Sequence, residues 1–235
     1  TPMCGRFTLR TPLHQLAGEF LFHPSEDLSL PPRFNIAPSQ LIAGLKWDSG
    51  RKFSQFQWGL IPCWAKEPSI GYKMINCRSE TIREKPSFRD AYKKRRCALF
   101  SDGYYEWQKI DGVKQPIFFH REDNKPFVFA GLWERWQQDP EQPAIESTTI
   151  ITTASNHITE TIHHRMPVIL SSDDLDDWLD PGYPDLDHLH SLLTDPIDDN
   201  QMMTFNSTAV STYVNNVRNT GAECIEPVAR QQDLF

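Results

Sequence analysis

Hydrophobic residues follow a helical spacing once near the start of the chain and then change to alternation. Leu13, Leu16, Phe20 and Leu21 fall on one face behind Thr11-Pro12, which predicts a helix with Thr11 as its N-cap and proline in its first turn. Arg33-Phe34-Asn35-Ile36-Ala37-Pro38 mixes polar groups with proline and reads as a loop leading into a strand at 41–47. Asp48-Ser49-Gly50 then makes a turn, and Phe56, Trp58 and Leu60 alternate as a second strand would, so a hairpin is predicted. Residues 61–68 are too broken by proline for regular structure. Ser87 is placed to cap a short helix, and 97–100 reads as a strand.

The β signal is strongest after Asp102. Gly103-Tyr104-Tyr105-Glu106-Trp107, an Asp111-Gly112 turn, Ile117-Phe118-Phe119, a polar turn at 121–125 and an apolar run at 127–133 together predict a meander. Ile150-Ile151-Thr152-Thr153 gives another strand. Ser155 is then read as the cap of a short helix running to Ile162, and Val168-Ile169-Leu170 as a strand. Leucine spacing predicts two peripheral amphipathic helices at 173–179 and 186–193, and residues 221–228 read as a returning strand before a polar tail at 229–235.

The 235 residues contain no Gly/Ser or proline-rich linker, so one domain over 1–235 is expected. Five cysteines without a C-x-x-C pair argue against a disulfide framework or a zinc ribbon and for a reducing, intracellular setting. No signal peptide or membrane span is legible, so no membrane partner is expected. The formal net charge of −7 is unevenly spread. Residues 166–217 contain no Lys or Arg but carry Asp173, Asp174, Asp176, Asp177, Asp180, Asp185, Asp187, Asp195, Asp198 and Asp199. Arg83, Lys85, Arg89, Lys93, Lys94, Arg95 and Arg96 form an opposite block. A basic face that meets nucleic acid, with the acidic segment turned away, is one reading; solvated helix surfaces are the other.

Candidate chemistry begins at Cys4. If what precedes it is removed, one residue carries both an α-amine (ordinary pKa about 8) and a thiol (about 8.5). With an aldehyde, successive attack by the two closes a five-membered thiazolidine. A small buried cysteine beside a first strand is the plain alternative. Glu106, among aromatic neighbours, is either a buried proton donor and acceptor or a solvent-facing strand glutamate, because alternation sets it opposite Tyr105 and Trp107. Trp64 beside Lys66 suits stacking on an unpaired base, or else packs in the core. His157, His163 and His164 lack a helical zinc pattern, His188 and His190 most simply face water, and no phosphate-cradling glycine loop, dinucleotide fingerprint or G-x-S-x-G elbow occurs. Neither a metal nor a cofactor is expected.

Six ordered blocks now stand together: Cys4-Gly5-Arg6-Phe7, Arg33-Phe34-Asn35-Ile36-Ala37-Pro38, Trp58-Gly59-Leu60-Ile61-Pro62, Asn76-Cys77-Arg78-Ser79-Glu80-Thr81, Asp102-Gly103-Tyr104-Tyr105-Glu106-Trp107 and His163-His164-Arg165-Met166-Pro167. In this order they resemble the SOS response-associated peptidase (SRAP) family from Cys4 to about Val228. The resemblance implies a monomeric protein that binds single-stranded DNA and crosslinks abasic sites through a thiazolidine at Cys4. It implies that Asn76 holds the cysteine or the sugar, Glu106 shuttles protons, and His163 assists ring opening and Schiff-base chemistry. Arg6 and Arg78 would bind phosphates, with Asn35, Lys85 and Arg165 adding DNA contacts, and Pro38 and Trp64 would meet neighbouring bases. The family is also credited with autoproteolytic removal of the residue before the cysteine.

Two departures stand out. His164 occupies a position where the family often has an acidic residue, so His163 would lose an orienting carboxylate. Met3 reads as the natural start and Thr1-Pro2 as an added remnant, which would lock the Cys4 amine in a peptide bond. The fold expected is α+β, a strongly curved, antiparallel, barrel-like β core with peripheral helices. A cysteine hydrolase using Cys4, His163 and Asn76 as thiol, base and orienter, and a non-catalytic reader of modified DNA, are the competing functions.

Overall fold

A computed structural model of the chain describes residues 4–110, 112–194 and 205–228. The expectations placed on residues 1–3, on Asp111, on Asp195, Asp198 and Asp199, and on the tail at 229–235 lie outside them. Along the chain come β1 (Phe7–Leu9), α1 (Leu13–Phe20), β2 (Arg33–Ile36), β3 (Leu41–Trp47), β4 (Arg51–Trp58) and β5 (Asn76–Arg78). After α2 (Arg89–Lys94) follow β6 (Arg96–Ser101), β7 (Gly103–Ile110), β8 (Val113–Arg121) and β9 (Phe127–Trp136). The remainder is β10 (Ile145–Ala154), β11 (Arg165–Pro167), β12 (Ile169–Leu170), α3 (Leu175–Leu179), α4 (Leu186–Thr194) and β13 (Phe205–Ala209).

One sheet closes on itself. Strands β4, β3, β6 and β9 pair in that order, and β10 pairs with both β9 and β4 to complete a five-stranded barrel. The barrel is mixed, since β10 runs parallel to β4 and to β5 while the other barrel pairs are antiparallel. Closure removes the exposed edges of the sheet and buries its inner face, where Phe56, Leu99, Phe129 and Ile150 are fully covered. The second sheet, in the order β13-β8-β7-β1-β2, packs on the barrel through Phe7. The Phe7 ring meets Trp58 of β4 edge-on at 5.2 Å and Phe129 of β9 at 5.8 Å.

The predicted hairpin forms between β3 and β4, but the meander does not. Strand β8 pairs with β7 and β13, whereas β9 leaves for the barrel and pairs with β6 and β10. The cause lies in β9 itself: six consecutive buried residues from Phe127 to Leu132 must be covered on both faces. Residues 33–36 are strand β2 and not loop, because Pro38 falls beyond the pairing with β1. No helix follows Ser155; Asn156 Oδ1 accepts from the Thr159 amide (3.1 Å) and hydroxyl (3.0 Å), a local turn that competes with helix. Residues 222–225 form a 3-10 turn, and only Val210 and Pro227 make a bridge, since proline has no N–H to extend a ladder.

Both helix caps read from sequence shift. Thr11 directs its hydroxyl to Asp102 while Pro12 occupies the cap of α1, and α2 begins after Phe88 without a side-chain cap. Leu21 terminates α1 in the left-handed region and stands exposed. The acidic and basic segments do not face opposite ways. Arg83 pairs with Asp187 at 2.7 Å, Arg51 with Asp176 at 2.7 Å, and the buried Arg96 guanidinium donates to the carbonyls of Trp178, Tyr92, Lys93 and Asp180. Helices α3 and α4 are therefore docked by the cations that looked free.

Gly44 of β3 lies against β6 so closely that a Cβ would sit 2.3 Å from the Ala98 carbonyl oxygen. Gly18 on α1 has nothing within 4 Å of the same position. Gly44→Ala is expected to destabilise by about 2–3 kcal/mol through backbone displacement, and Gly18→Ala to stabilise by about 0.5–1 kcal/mol through helix propensity. Thermal or denaturant melts of the two variants check this, and similar melting of both would contradict the tight β3–β6 approach.

Candidate active site

Asp102, at the corner between β6 and β7, fixes how β1 enters. Its buried carboxylate accepts from the Thr8 hydroxyl (2.5 Å), the Arg10 side chain (3.0 Å) and amide (2.5 Å), and the Thr11 amide (2.9 Å) and hydroxyl (3.1 Å). Five donors around one anion hold β1 in antiparallel register with β7, with Phe7 opposite Tyr104 and Thr8 opposite Gly103. That register brings Cys4 over Glu106.

The Cys4 backbone N–H donates to Glu106 Oε1 at 2.7 Å, with both residues buried. Cys4 is held at φ 43°, a left-handed conformation that costs a non-glycine residue roughly 1–2 kcal/mol. Glu106 faces inward because the opposite face of β7 is also covered, with Tyr105 packed on Phe118, Val214 and Cys224. Burial raises the Glu106 carboxyl to about 7, even though the Cys4 and Trp107 amides favour its charged form. Burial also pushes the Cys4 thiol well up, and Glu106 adds to the effect. Tyr104 shares the Glu106 face of β7, is fully buried, and no described group hydrogen-bonds its hydroxyl.

The other two residues proposed for the chemistry flank β10. Asn76 lies opposite Ile150 and Arg78 opposite Thr152, which on its other side pairs with Pro167 of β11. Asn76 is tied to β1 through packing, since Phe7 meets Trp58 edge-on and the Trp58 indole donates to the Ile75 carbonyl at 2.9 Å. His163 lies in the turn before β11. Gln108, two residues beyond Glu106 on the same face of β7, donates to the Thr161 carbonyl at 3.4 Å and draws that turn toward β7. His163 Nδ1 accepts from the Arg165 amide at 3.2 Å, and its ring stacks on His164 at 4.4 Å. Burial first, and the neighbouring His164 after the opposing Arg165 contact, lower its pKa and favour the neutral ring. The Arg165 backbone therefore partners His163, at the position where the loss of an orienting carboxylate was expected.

The residues proposed for DNA divide into two sets. Arg78, Lys85 and Trp64 are exposed and Pro38 half-exposed; Trp64 borders a shallow groove of about 360 Å³ with Lys66, Ile70 and Lys73. Asn35 is buried: its Oδ1 accepts from Arg6 at 2.9 Å and its amide donates to the carbonyls of Val214, Asn216 and Asn219. Its polar atoms are thus used within the chain, so the DNA contact expected of it would have to compete with these bonds. Arg6 also donates to Val214 at 3.0 Å and remains half-buried. Arg165 is buried, bound to Glu80 at 2.5 Å and to the Thr152 carbonyl at 2.6 Å, so a phosphate contact there would have to compete with Glu80. Sequence reasoning missed Asp102, Glu80 and Tyr104. Only Tyr104 carried a signal, its two-residue spacing from Glu106.

The mixed barrel and the second sheet together set the Cys4 amide on a buried glutamate. The SOS response associated peptidase (SRAP) family matches residues 3–217, and the chain belongs to that family. It is 42% identical over 231 residues to the abasic site processing protein YoqW of Bacillus subtilis, covering 95% of this chain and 99% of that one. It is 33% identical over 233 residues to the abasic site processing protein HMCES of Xenopus tropicalis, covering 86% of this chain and 68% of the relative. A crystal structure of a Bacteroides thetaiotaomicron protein superposes with a TM-score of 0.83 at 25% identity, over 96% of this chain and all of that one. Among the described residues no helix is long and apolar enough to cross a membrane.

A carboxyl raised from its ordinary range to about 7 contributes stability that is complete below pH about 4.5 and lost as pH rises through 7. Glu106→Gln keeps an acceptor for the Cys4 amide without the charge. The variant should therefore gain on the parent by up to about 3 kcal/mol between pH 5 and 9. Melting curves across that range measure the gain, and a difference independent of pH would place the Glu106 titration elsewhere.

Proposed function

We propose that this chain processes abasic sites in DNA, and that it does so by forming a thiazolidine between Cys4 and the ring-opened sugar aldehyde in single-stranded DNA. The names of the relatives support the first part. The observation that carries the second is the 2.7 Å contact between the Cys4 nitrogen and Glu106. Once the Met3–Cys4 bond is cut, a step we assign to the protein itself, an α-amine stands where the amide N–H now donates. Glu106, titrating at about 7, takes a proton from the ammonium and leaves a nucleophilic lone pair.

The amine adds to the aldehyde carbon, and the carbinolamine loses water to give an imine. The thiol then adds across C=N: sulfur bonds to carbon and its proton goes to nitrogen. Because burial keeps the Cys4 thiol protonated, it enters this step as a thiol and needs no thiolate. Neutral His163 is suited to accept the sugar hydroxyl proton as the ring opens. Exposed Arg78 and Lys85 supply cations for phosphates, and exposed Trp64 with Pro38 a stacking surface. Neither bond-forming step calls on a metal or a cofactor. A cysteine hydrolase is less well supported, since no hydrogen bond joins the Cys4 thiol to His163 among the described residues and burial opposes a thiolate.

The test compares a chain beginning at Cys4 with one retaining Met3, each mixed with abasic and intact oligonucleotides. Intact mass and denaturing gels should show one stoichiometric, heat-stable adduct from the first with abasic DNA only. Cys4→Ser, which can form the imine but not the sulfur ring, should give an adduct that heat reverses. Equal heat stability would rule out the thiazolidine, and a durable adduct from a verified Met3 form would rule out the α-amine. Glu106→Ala and His163→Ala should slow the reaction by about 10²- to 10⁴-fold with little change in DNA affinity; a matching loss of affinity would make them binding residues.

A further inference from the structure

We propose that the Tyr104 hydroxyl is a third polar group of the Cys4–Glu106 site, donating a hydrogen bond to the oxygen of the abasic-site aldehyde as the Cys4 amine adds to its carbon. The proposal rests on the reading of function above. Tyr104 and Glu106 are two residues apart on β7 and so project from the same face, the face that Cys4 covers. Tyr104 is opposite Phe7 of β1 on one side and Phe119 of β8 on the other. Its ring lies parallel to Phe119 at 4.9 Å and edge-on to Phe129 at 6.1 Å, which holds the hydroxyl in one place.

That hydroxyl is fully buried, and no described group hydrogen-bonds it. A buried unsatisfied hydroxyl costs stability, and phenylalanine would fill nearly the same space without it. Burial, then Cys4 and Glu106, hold the phenol well above the ordinary tyrosine range, so it donates a hydrogen bond without surrendering its proton.

Such a donor fits one atom of the reaction. As the nitrogen–carbon bond forms, the carbonyl π pair moves to oxygen, which becomes the most basic atom present. One proton from the former amine reaches it through Glu106 and makes a hydroxyl; the second proton of that nitrogen follows as the nitrogen lone pair expels the hydroxyl as water and leaves the imine. Tyr104 steadies that oxygen while charge builds on it and is unchanged at the end.

Tyr104→Phe in the chain beginning at Cys4 isolates the hydroxyl. Adduct formation measured against abasic oligonucleotide concentration should be about 10- to 100-fold slower at saturation, with an unchanged half-saturating concentration. The melting temperature should be unchanged or higher. A saturating rate within twofold of the parent, a defect confined to half-saturation, or a lowered melting temperature would each overturn the proposal. Absence of any adduct from the parent chain would instead overturn the functional reading on which the proposal depends, and Tyr104 would fall with it.

Discussion

One hydrogen bond, from the Cys4 amide to Glu106, is the contact on which the proposed chemistry depends, and the surrounding structure keeps it buried and short. A carboxylate with few donors in an apolar setting is unstable as an anion, so its position has to be imposed by neighbours. Asp102 does the imposing. It gathers five donors from Thr8, Arg10 and Thr11, fixes the β1–β7 register, and leaves Glu106 four residues along β7 with Cys4 above it. Two acidic residues of one short motif thus have opposite duties: Asp102 is saturated and structural, while Glu106 is left poised to exchange a proton.

The barrel serves the same site from the other side. Because β10 closes the ring through β9 and β4 and then continues past it, its outer half is free to hold β5 and β11. Asn76 and Arg78 arrive on one flank and the His163 turn before the other. A simple antiparallel barrel would not have offered both flanks of a single strand in this way. Residues 59–75 carry the chain from β4 on to β5, so that both pair parallel with β10 in succession, and they bring Trp64 to the surface as they go.

How much of this was legible in the sequence depends on the range of the forces involved. The β3–β4 hairpin and the strands β6 to β9 were visible because alternation and turn residues act over a few positions. The partner of β9 was not, because it was decided by burial on both faces and not by the polar turn before it. The docking of the acidic helices was invisible for the same reason: Arg83 and Asp187 are 104 residues apart, and charge runs reveal sign without location. Residues 155–164 misled because Asn156 bonds its own turn more readily than it caps a helix. The site was found by resemblance of its motifs, and alternation left the face of Glu106 open until the covering of both faces of β7 decided it.

Three departures from local rules meet where the chemistry is proposed. Cys4 sits in a left-handed conformation, Glu106 is buried with its carboxyl near 7, and Tyr104 keeps a hydroxyl that nothing described satisfies. By contrast, the buried Asp102 carboxylate and the Arg96 guanidinium with its four carbonyls are fully engaged. The same geometry also suits two states of the chain. An amide N–H at 2.7 Å offers Glu106 a neutral donor, whereas an ammonium at that distance would stabilise the carboxylate and then hand it a proton. Cleavage before Cys4 would therefore change the proton balance of the site without moving its atoms, which is the form of activation that a rigid, buried register can deliver.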